Sequence, residues 1–440
     1  WVDCDNTRFR YGLPEKVGGW SSLITDTIVG VARREFAFVD LDGNRYVAIG
    51  TDKFLLIYFE GQLYDITPLK TTLTSATIAT TNTSAICSIT TGTDHDLSVG
   101  DIVLLDTVTL PVGTGYVDAD FENKLFQVTS ITSATVFTIT QSTAATATVG
   151  TGGSLSVKPY EQVGPAVQSY GYGWGIDTWS SGAWGEAASA SDVSLEPGLW
   201  SLSNFGQVLV ATIANGKTFT WNAGDAARLT TRASTSTSGF STSANPTATR
   251  VSLVSPTTRH LIHLGTETTI GDTSTQDDMF IRFSDQEDIN DYTPTAINSA
   301  GSQRLQDGTK IMGSLKAKET ILVWTDNALY TMKFIGAPFT FGFEQVGTNC
   351  GLIGKNAAIE IDGAAFWMSN NGFFMFDGTV KSLPCSVEDY VYDQADTTKG
   401  QQIYAGINNL FTEVVWYYPS TNSDYNDQYV VFNYGEAMKG

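Results

Sequence analysis

The chain has 440 residues, of which 12% are aromatic and only 16% charged, and its 46 acidic and 25 basic side chains leave a formal net charge of −21. That balance argues against a conventional nucleic-acid reader, whose affinity comes from Lys and Arg neutralising phosphates; taken alone, acidic charge for solubility is the plainer account. Abundant Gly, Thr, Ser and aromatic residues without long Ala, Leu, Glu and Lys runs describe an all-β chain, and no stretch reaches the roughly 18 apolar residues of a transmembrane helix.

The length is enough for a large core or for about three domains. No secretory apolar segment opens the chain. It begins at Trp1 and stops at Gly440 just past a strand, so a piece trimmed from a longer product is expected.

Residues 1–20 read WVDCDNTRFRYGLPEKVGGW, where Gly12, Pro14 and the Gly18-Gly19 pair break any regular element. An extended segment laid over the first blade is expected, with Arg8, Arg10 and Lys16 making it locally basic. Either it is a contact surface or its charges are simply solvated. From Val29 to Pro68 strand follows strand, with a turn at Asp42-Gly43. Phe36, Phe38 and Val39 alternate poorly, as in a strand covered on both faces.

The composition changes at Lys70. Residues 71–158 are rich in Thr, Ser, Ala and Val, and strands are expected at TSAICSIT, GDIVLLD, KLFQVTSI and TVFTIT, with turns at Thr91-Gly92 and Thr132-Ser133. The simplest account is a small β-barrel or sandwich module inserted into a propeller whose first part is 1–70 and whose remainder is 159–440. His95, between Asp94 and Asp96, has no His or Cys near it in sequence and reads as a turn histidine. Cys4, Cys87, Cys350 and Cys385 form no CxxC pair; they read as buried apolar groups in a reducing compartment, without a metal.

In SYGYGWGIDTWSSGAWGE, Tyr172, Trp174, Trp179 and Trp184 are spaced by glycines. Such rings must pack on something outside their own segment. Two destinations stay open, a loop pinned to the propeller face and an aromatic patch at a subunit interface. The Ser/Thr-rich piece at 232–250 reads as a loop. At 281–294, IRFSDQEDINDYTP carries Asp285, Glu287, Asp288 and Asp291, with Asp278 upstream. The loop lacks the spacing of a calcium loop, so a solvated or channel-facing acidic loop is expected, at the channel or the tip.

The clearest stretch runs from Ile321 to Gly378. ILVWTDNALYTMKFIG places apolar strands about Asp326-Asn327, and AAFWMSNNGFFMFDG repeats the plan about Asn371-Gly372, a pair suited to a type I′ turn. The same plan recurs at 47–62, 209–224, 261–285 and 413–436. An isolated hairpin is marginal in water, so such units must stack. A radial β-propeller fits this recurrence, although a pair of β-sandwiches also shows short strands with frequent turns.

No catalytic signature emerges. G-x-S-x-G, H-E-x-x-H and Walker sequences are absent, and no G-x-G-x-x-G follows a strand; His260 and His263 fall on opposite faces of one strand. A structural or binding protein, without catalytic residues, cofactor or metal, is expected.

The phrases N-T-R-F-R-Y-G-x-P-E-K-x-G-G-W at 6–20, YDITPL at 64–69, SLSNFGQVLVATIANG at 201–216, RFSDQEDINDYTP at 282–294 and the block at 321–378 with its Gly-Leu-Ile step resemble the tail hub or nozzle proteins of short-tailed bacteriophages, also called packaged-DNA stabilisation proteins. The inserted module is similar to small β domains of phage structural proteins, through HDLSVGDIV and FQVTSITSATVFTI. The resemblance implies a propeller protomer in a ring of six copies, in the virion tail after synthesis in the host cytoplasm. Its implied partners are the adaptor or portal-proximal ring, tail fibres or spikes, and DNA passing through the lumen without sequence-specific binding. The ring would retain the packaged genome and conduct it during ejection. Six copies at −21 would carry 6 × 21 = 126 formal negative charges, and an acidic wall lets DNA pass where a basic one would hold it. The alternative is a virion-associated propeller that binds a receptor or glycan, with or without depolymerising it.

Overall fold

A computed structural model of the chain describes residues 6–10, 13–19, 21–22, 24–168, 196–235 and 244–437. Among them, six antiparallel sheets follow one another around an axis as the blades of a propeller. Blade one comprises Ala32–Val39, Arg45–Thr51, Leu55–Phe59 and Gln62–Asp65. Blade two comprises Trp200–Phe205, Val208–Ile213 and Thr218–Asn222. Blade three comprises Thr249–Val254, Leu261–Thr266, Phe280–Phe283 and Gly301–Arg304. Blade four runs from Ile311–Lys316 through Ile321–Thr325 and Ala328–Gly336 to Thr340–Thr348. Blade five holds Ala358–Ile361, Ala364–Ser369, Gly372–Phe376 and Val380–Ser382. Blade six holds Tyr404–Asn408, Glu413–Pro419 and Asn426–Asn433. The all-β propeller expected from the sequence is the fold, and its helix is limited to short pieces such as Glu388–Gln394.

Each hairpin legible in the sequence forms the second and third strands of one blade. Tryptophans at matching places on the second strands of blades four, five and six, Trp324, Trp367 and Trp416, are fully buried. Their indoles fill the wedge between blades. Trp367 Nε1 donates to the Cys350 carbonyl at 2.8 Å, and Trp416 Nε1 to the Ala357 carbonyl at 3.0 Å, which satisfies the one polar atom that burial would otherwise strand. The turn expected at Asn371-Gly372 is shifted by one residue. Ser369 pairs with Gly372, so the loop is Asn370-Asn371, and only Gly372 takes a positive φ, at +126°. No type I′ turn forms.

The Gly-Leu-Ile step at 351–353 links blades four and five. A Cβ at Gly351 would stand 2.1 Å from the Asp326 carbonyl oxygen, so only glycine lets the chain cross under that hairpin. Leu352 and Ile353 then enter the core shared by blades four, five and six.

Successive blades share cores. One joins blades one and two, another blades three and four, and a smaller one, Val210, Val254, Leu261 and Ile289, blades two and three. Among the described residues no core joins blade six to blade one. The innermost strand of blade one shows it: Ala32, Glu35, Ala37 and Val39 are exposed, and Val39 is 50% exposed. Its imperfect alternation therefore reflects an open flank and not cover on both faces.

The N-terminal segment also differs from expectation. It forms a hairpin, Thr7–Arg10 with Leu13–Lys16, and lies on the last blade instead of the first. Arg8 decides this. Its Nε and Nη2 donate to the Glu413 carboxylate at 2.8 and 2.9 Å, and its guanidinium stacks 3.4 Å from the Phe411 ring centre.

Between blades one and two in sequence, six strands from Leu73–Thr80 to Val149–Pro159 close into a barrel. Its interior holds Ile78, Ile89, Val103, Phe121, Phe137 and Leu155. The first and last of these strands, missed by the sequence reading, are rich in Thr, Ser and Gly. The turn expected at Thr132-Ser133 falls at Ala134-Thr135, because Ser133 still pairs with Val136. The barrel's ends meet, with Lys70 N donating to the Pro159 carbonyl at 2.8 Å.

Candidate functional site

The acidic residues singled out in sequence come together in the loop joining the third and fourth strands of blade three, and much of their charge is used locally. Asp285 Oδ1 accepts from Ser299 N at 2.8 Å, Ser299 Oγ at 2.6 Å and Gln286 N at 2.8 Å. Burial acts to raise the Asp285 pKa, but these donors outweigh it and hold the carboxyl below its ordinary value. Asp291 accepts from Thr293 N at 3.1 Å and Asn298 Nδ2 at 2.8 Å. Glu287 pairs with Arg259 at 3.1 Å, and Asp288 accepts from Asn290 N at 2.8 Å. Glu287 and Asp288 are exposed, while Asp285 and Asp291 are only partly so. The loop is thus folded around its own carboxylates. The four aromatics, Tyr172, Trp174, Trp179 and Trp184, lie outside the described residues.

The histidines are structural. His95 sits at a turn of the barrel, its Nε2 3.0 Å from the Ser133 carbonyl and its Nδ1 accepting from Leu97 N at 3.0 Å. His260 and His263 face apart: His260 contacts Thr258 and Ser299. His263 Nε2 meets the Tyr292 hydroxyl at 2.9 Å, and burial pushes the ring's pKa down to about 3. Cys87 and Cys350 are buried, as expected, whereas Cys385 is only half-buried, beside a 140 Å³ apolar pocket between blades five and six.

A different place left little signal in the sequence. Where blades six and one fail to share a core, a cavity of about 610 Å³ opens. One wall is apolar, from Ile24, Ile28, Val47, Ile49 and Tyr58, and Tyr404 of blade six faces it. Arg33 and Arg34, on the innermost strand of blade one, also line it, with Asp26 and Glu35 exposed.

Arg34 is one of a group of cations along the propeller axis. Lys316, at the end of the innermost strand of blade four, donates to Ser203 Oγ of blade two at 2.9 Å. Lys355, just before blade five, donates to the Arg250 carbonyl of blade three at 3.2 Å. Arg34 Nη1 donates to Asn356 Oδ1 at 3.3 Å, and Asn356 Nδ2 donates back to the Arg33 carbonyl at 3.0 Å. Arg250 is anchored by Glu196, 2.7 Å away, and by the Ile311 carbonyl. Among the described residues Arg33, Arg34, Lys316 and Lys355 pair with no carboxylate within ion-pair distance.

The cations feel one another. Burial, with Arg34 and Arg250 adding repulsion that Glu196 only partly offsets, lowers the Lys355 pKa to about 7. Burial and Arg34 lower Lys316 to about 8. Arg33 is 7% exposed, donates through Nη2 to the Ala166 carbonyl, and leaves its Nε without a hydrogen-bond partner among the described residues. The sequence carried one trace of this group, the Arg33-Arg34 pair inside a strand; the others stand alone on separate blades.

No protein-family model matches the chain, and no curated protein matches it. Solved structures similar to it include the phage phi92 endosialidase, at 14% identity and a TM-score of 0.24, covering 81% of this chain and 55% of that one. The extracellular domain of the putative hybrid two-component system BT4673 from B. thetaiotaomicron matches at 12% identity and a TM-score of 0.31, covering 92% and 38%. Apo AztD from Citrobacter koseri matches at 9% and 0.29, covering 82% and 83%. The chain thus spans about half, or less, of the first two proteins. Likeness at this level carries no argument about activity.

Proposed function

We propose that the chain is a structural component of a short-tailed phage virion, the hub or nozzle ring that closes the DNA channel and conducts the genome during ejection. One observation carries the reading: a propeller interrupted after its first blade by a closed barrel, on a chain whose phrases at 6–20, 201–216, 282–294 and 321–378 resemble that family. The charge supports it. A ring of such copies presents net negative surface, which repels DNA instead of gripping it, over a range of about 8 Å at physiological salt. In such a ring DNA runs between protomers, so the cations inside each propeller do not meet it.

The test is assembly. Purified protein is examined by native mass spectrometry and electron microscopy, alone and with DNA-filled heads lacking it. The expected result is a ring, most simply of six copies, that docks below the adaptor and stops DNA leakage. A monomer that leaves leakage unchanged overturns the proposal.

A further inference from the structure

Beyond a structural role, the geometry points to a small-acid binding site: we infer that the cavity between blades one and six holds an organic or inorganic oxyanion on Arg33 and Arg34, any ligand body lying against Tyr58 and Tyr404. The inference does not depend on the tail reading, because every residue of the site belongs to one protomer.

Three observations converge. The cavity, about 610 Å³, has the size and the largely apolar lining with few polar groups of a small-molecule pocket. Its polar lining includes Arg33 and Arg34 beside Ser22, Asp26 and Glu35, and guanidiniums are the groups best shaped for carboxylate, sulfate or phosphate oxygens. Behind them Lys316 and Lys355 add positive charge with no carboxylate in ion-pair range among the described residues. Buried cations are ordinarily paired. Here four converge without an ion pair among the described residues: Glu196 is engaged by Arg250 and Lys310, and Asp52, which acts on Arg33 from beyond ion-pair distance, accepts from Val31 N. An entering oxyanion supplies the missing counter-charge.

The same geometry sets the ligand class. Nucleic-acid backbones are gripped by exposed side chains along an open face. Arg33 is 7% exposed, and Arg34, Lys316 and Lys355 are half-buried, so a single anionic group fits and a polymer backbone does not. Asp26 and Glu35 form no ion pair with Arg33 or Arg34, and they stand where hydroxyls on a ligand body would find acceptors.

Lys355 gives the site a pH signature. The charged groups acting on it are Arg34, Arg250 and Glu196, and its ammonium is half discharged near pH 7. A bound anion favours the charged form, so binding takes up a proton as pH rises above 7 and weakens up to tenfold per unit, while burial of Lys316 extends the effect toward pH 8.

The experiment titrates the full chain with sulfate, which does not itself ionise in this range, by calorimetry at constant ionic strength from pH 6 to 9. The expected result is saturable one-to-one binding that weakens with pH. Arg34→Gln and Lys355→Met weaken it at least tenfold, while Lys333→Met at an exposed position leaves it unchanged. Should Arg34→Gln fail to fold, Lys355→Met alone decides, since losing a poorly hydrated ammonium costs little stability. Glucuronate and glucose distinguish the ligand source. Glucuronate that displaces sulfate more tightly, with glucose inert, identifies an acidic sugar; sulfate binding without glucuronate binding identifies a bare oxyanion. Either supports the site. Uptake that is linear and non-saturating, or equal in wild type and Lys355→Met, overturns it.

Discussion

At the scale of single residues, the molecule separates charges that serve the fold from charges left over. Asp285 and Asp291 disappear into their loop, His263 is locked neutral, and Lys355 is held deep in a cationic neighbourhood. Stability should carry both signatures. The folded-state pKa of His263 lies below its unfolded value, so the unfolded chain binds the extra proton, and the stabilisation present above about pH 6.5 is lost as pH falls toward 3. Lys355 is likewise depressed, from 10.5 to about 7, so stability rises as pH climbs from 7 toward 9. Allowing for solvent that still reaches the half-buried Lys355, that rise is on the order of 1 to 2 kcal/mol. Urea melts at pH 4, 6.5 and 9 check it, and Lys355→Met should flatten the upper limb only. None of this was legible in the sequence, because an isolated Lys before a strand looks solvated until the blades bring its neighbours round. The acidic run at 285–291 was legible as a cluster, but not the donors from Ser299 and Asn298 that use it.

At the scale of elements, legibility was high, since each hairpin is a local object whose alternation and turn residues sit close together in sequence. What the pattern concealed is how hairpins meet. Trp200 of blade two lies over Gly50 of blade one, its indole Nε1 donating to the Thr51 carbonyl at 2.9 Å. A Cβ on Gly50 would stand 2.5 Å from the Trp200 ring. Gly50→Ala should therefore destabilise by about 1 to 3 kcal/mol through overpacking, although alanine suits a strand better than glycine. The midpoint of thermal unfolding measures it. Relief by Trp200→Phe in the same chain would locate the clash, whereas a neutral Gly50→Ala would contradict the packing. The barrel's outer strands were missed for a related reason: at 73–80 and 149–159 the residues are small and polar, and closure, not alternation, makes them strands.

At the scale of the whole molecule, the contact between the N-terminal hairpin and the last blade ties distant parts of the chain together. Arg8 and Glu413 are both largely buried, their side chains 12% and 6% exposed. Removing one partner leaves a buried charge. Arg8→Ala should cost about 3 kcal/mol and raise amide exchange in Thr7–Lys16, while Arg8→Met combined with Glu413→Gln recovers most of the loss. Hydrogen exchange with mass spectrometry tests both; unchanged exchange in Arg8→Ala would show that the hairpin is held by other means.

That pair spans 405 positions of sequence. In folds closed by trading a strand between the two ends of the chain, the last sheet is completed by the first residues made. Here, among the described residues, blades one and six are each built from one continuous stretch, and the N-terminal hairpin docks on blade six. During translation at about 5 to 20 residues per second, that hairpin waits roughly 20 to 80 seconds for its acceptor. Meanwhile Arg8 has neither Glu413 nor Phe411 to dock on, so the hairpin can take its place only after blade six has been made.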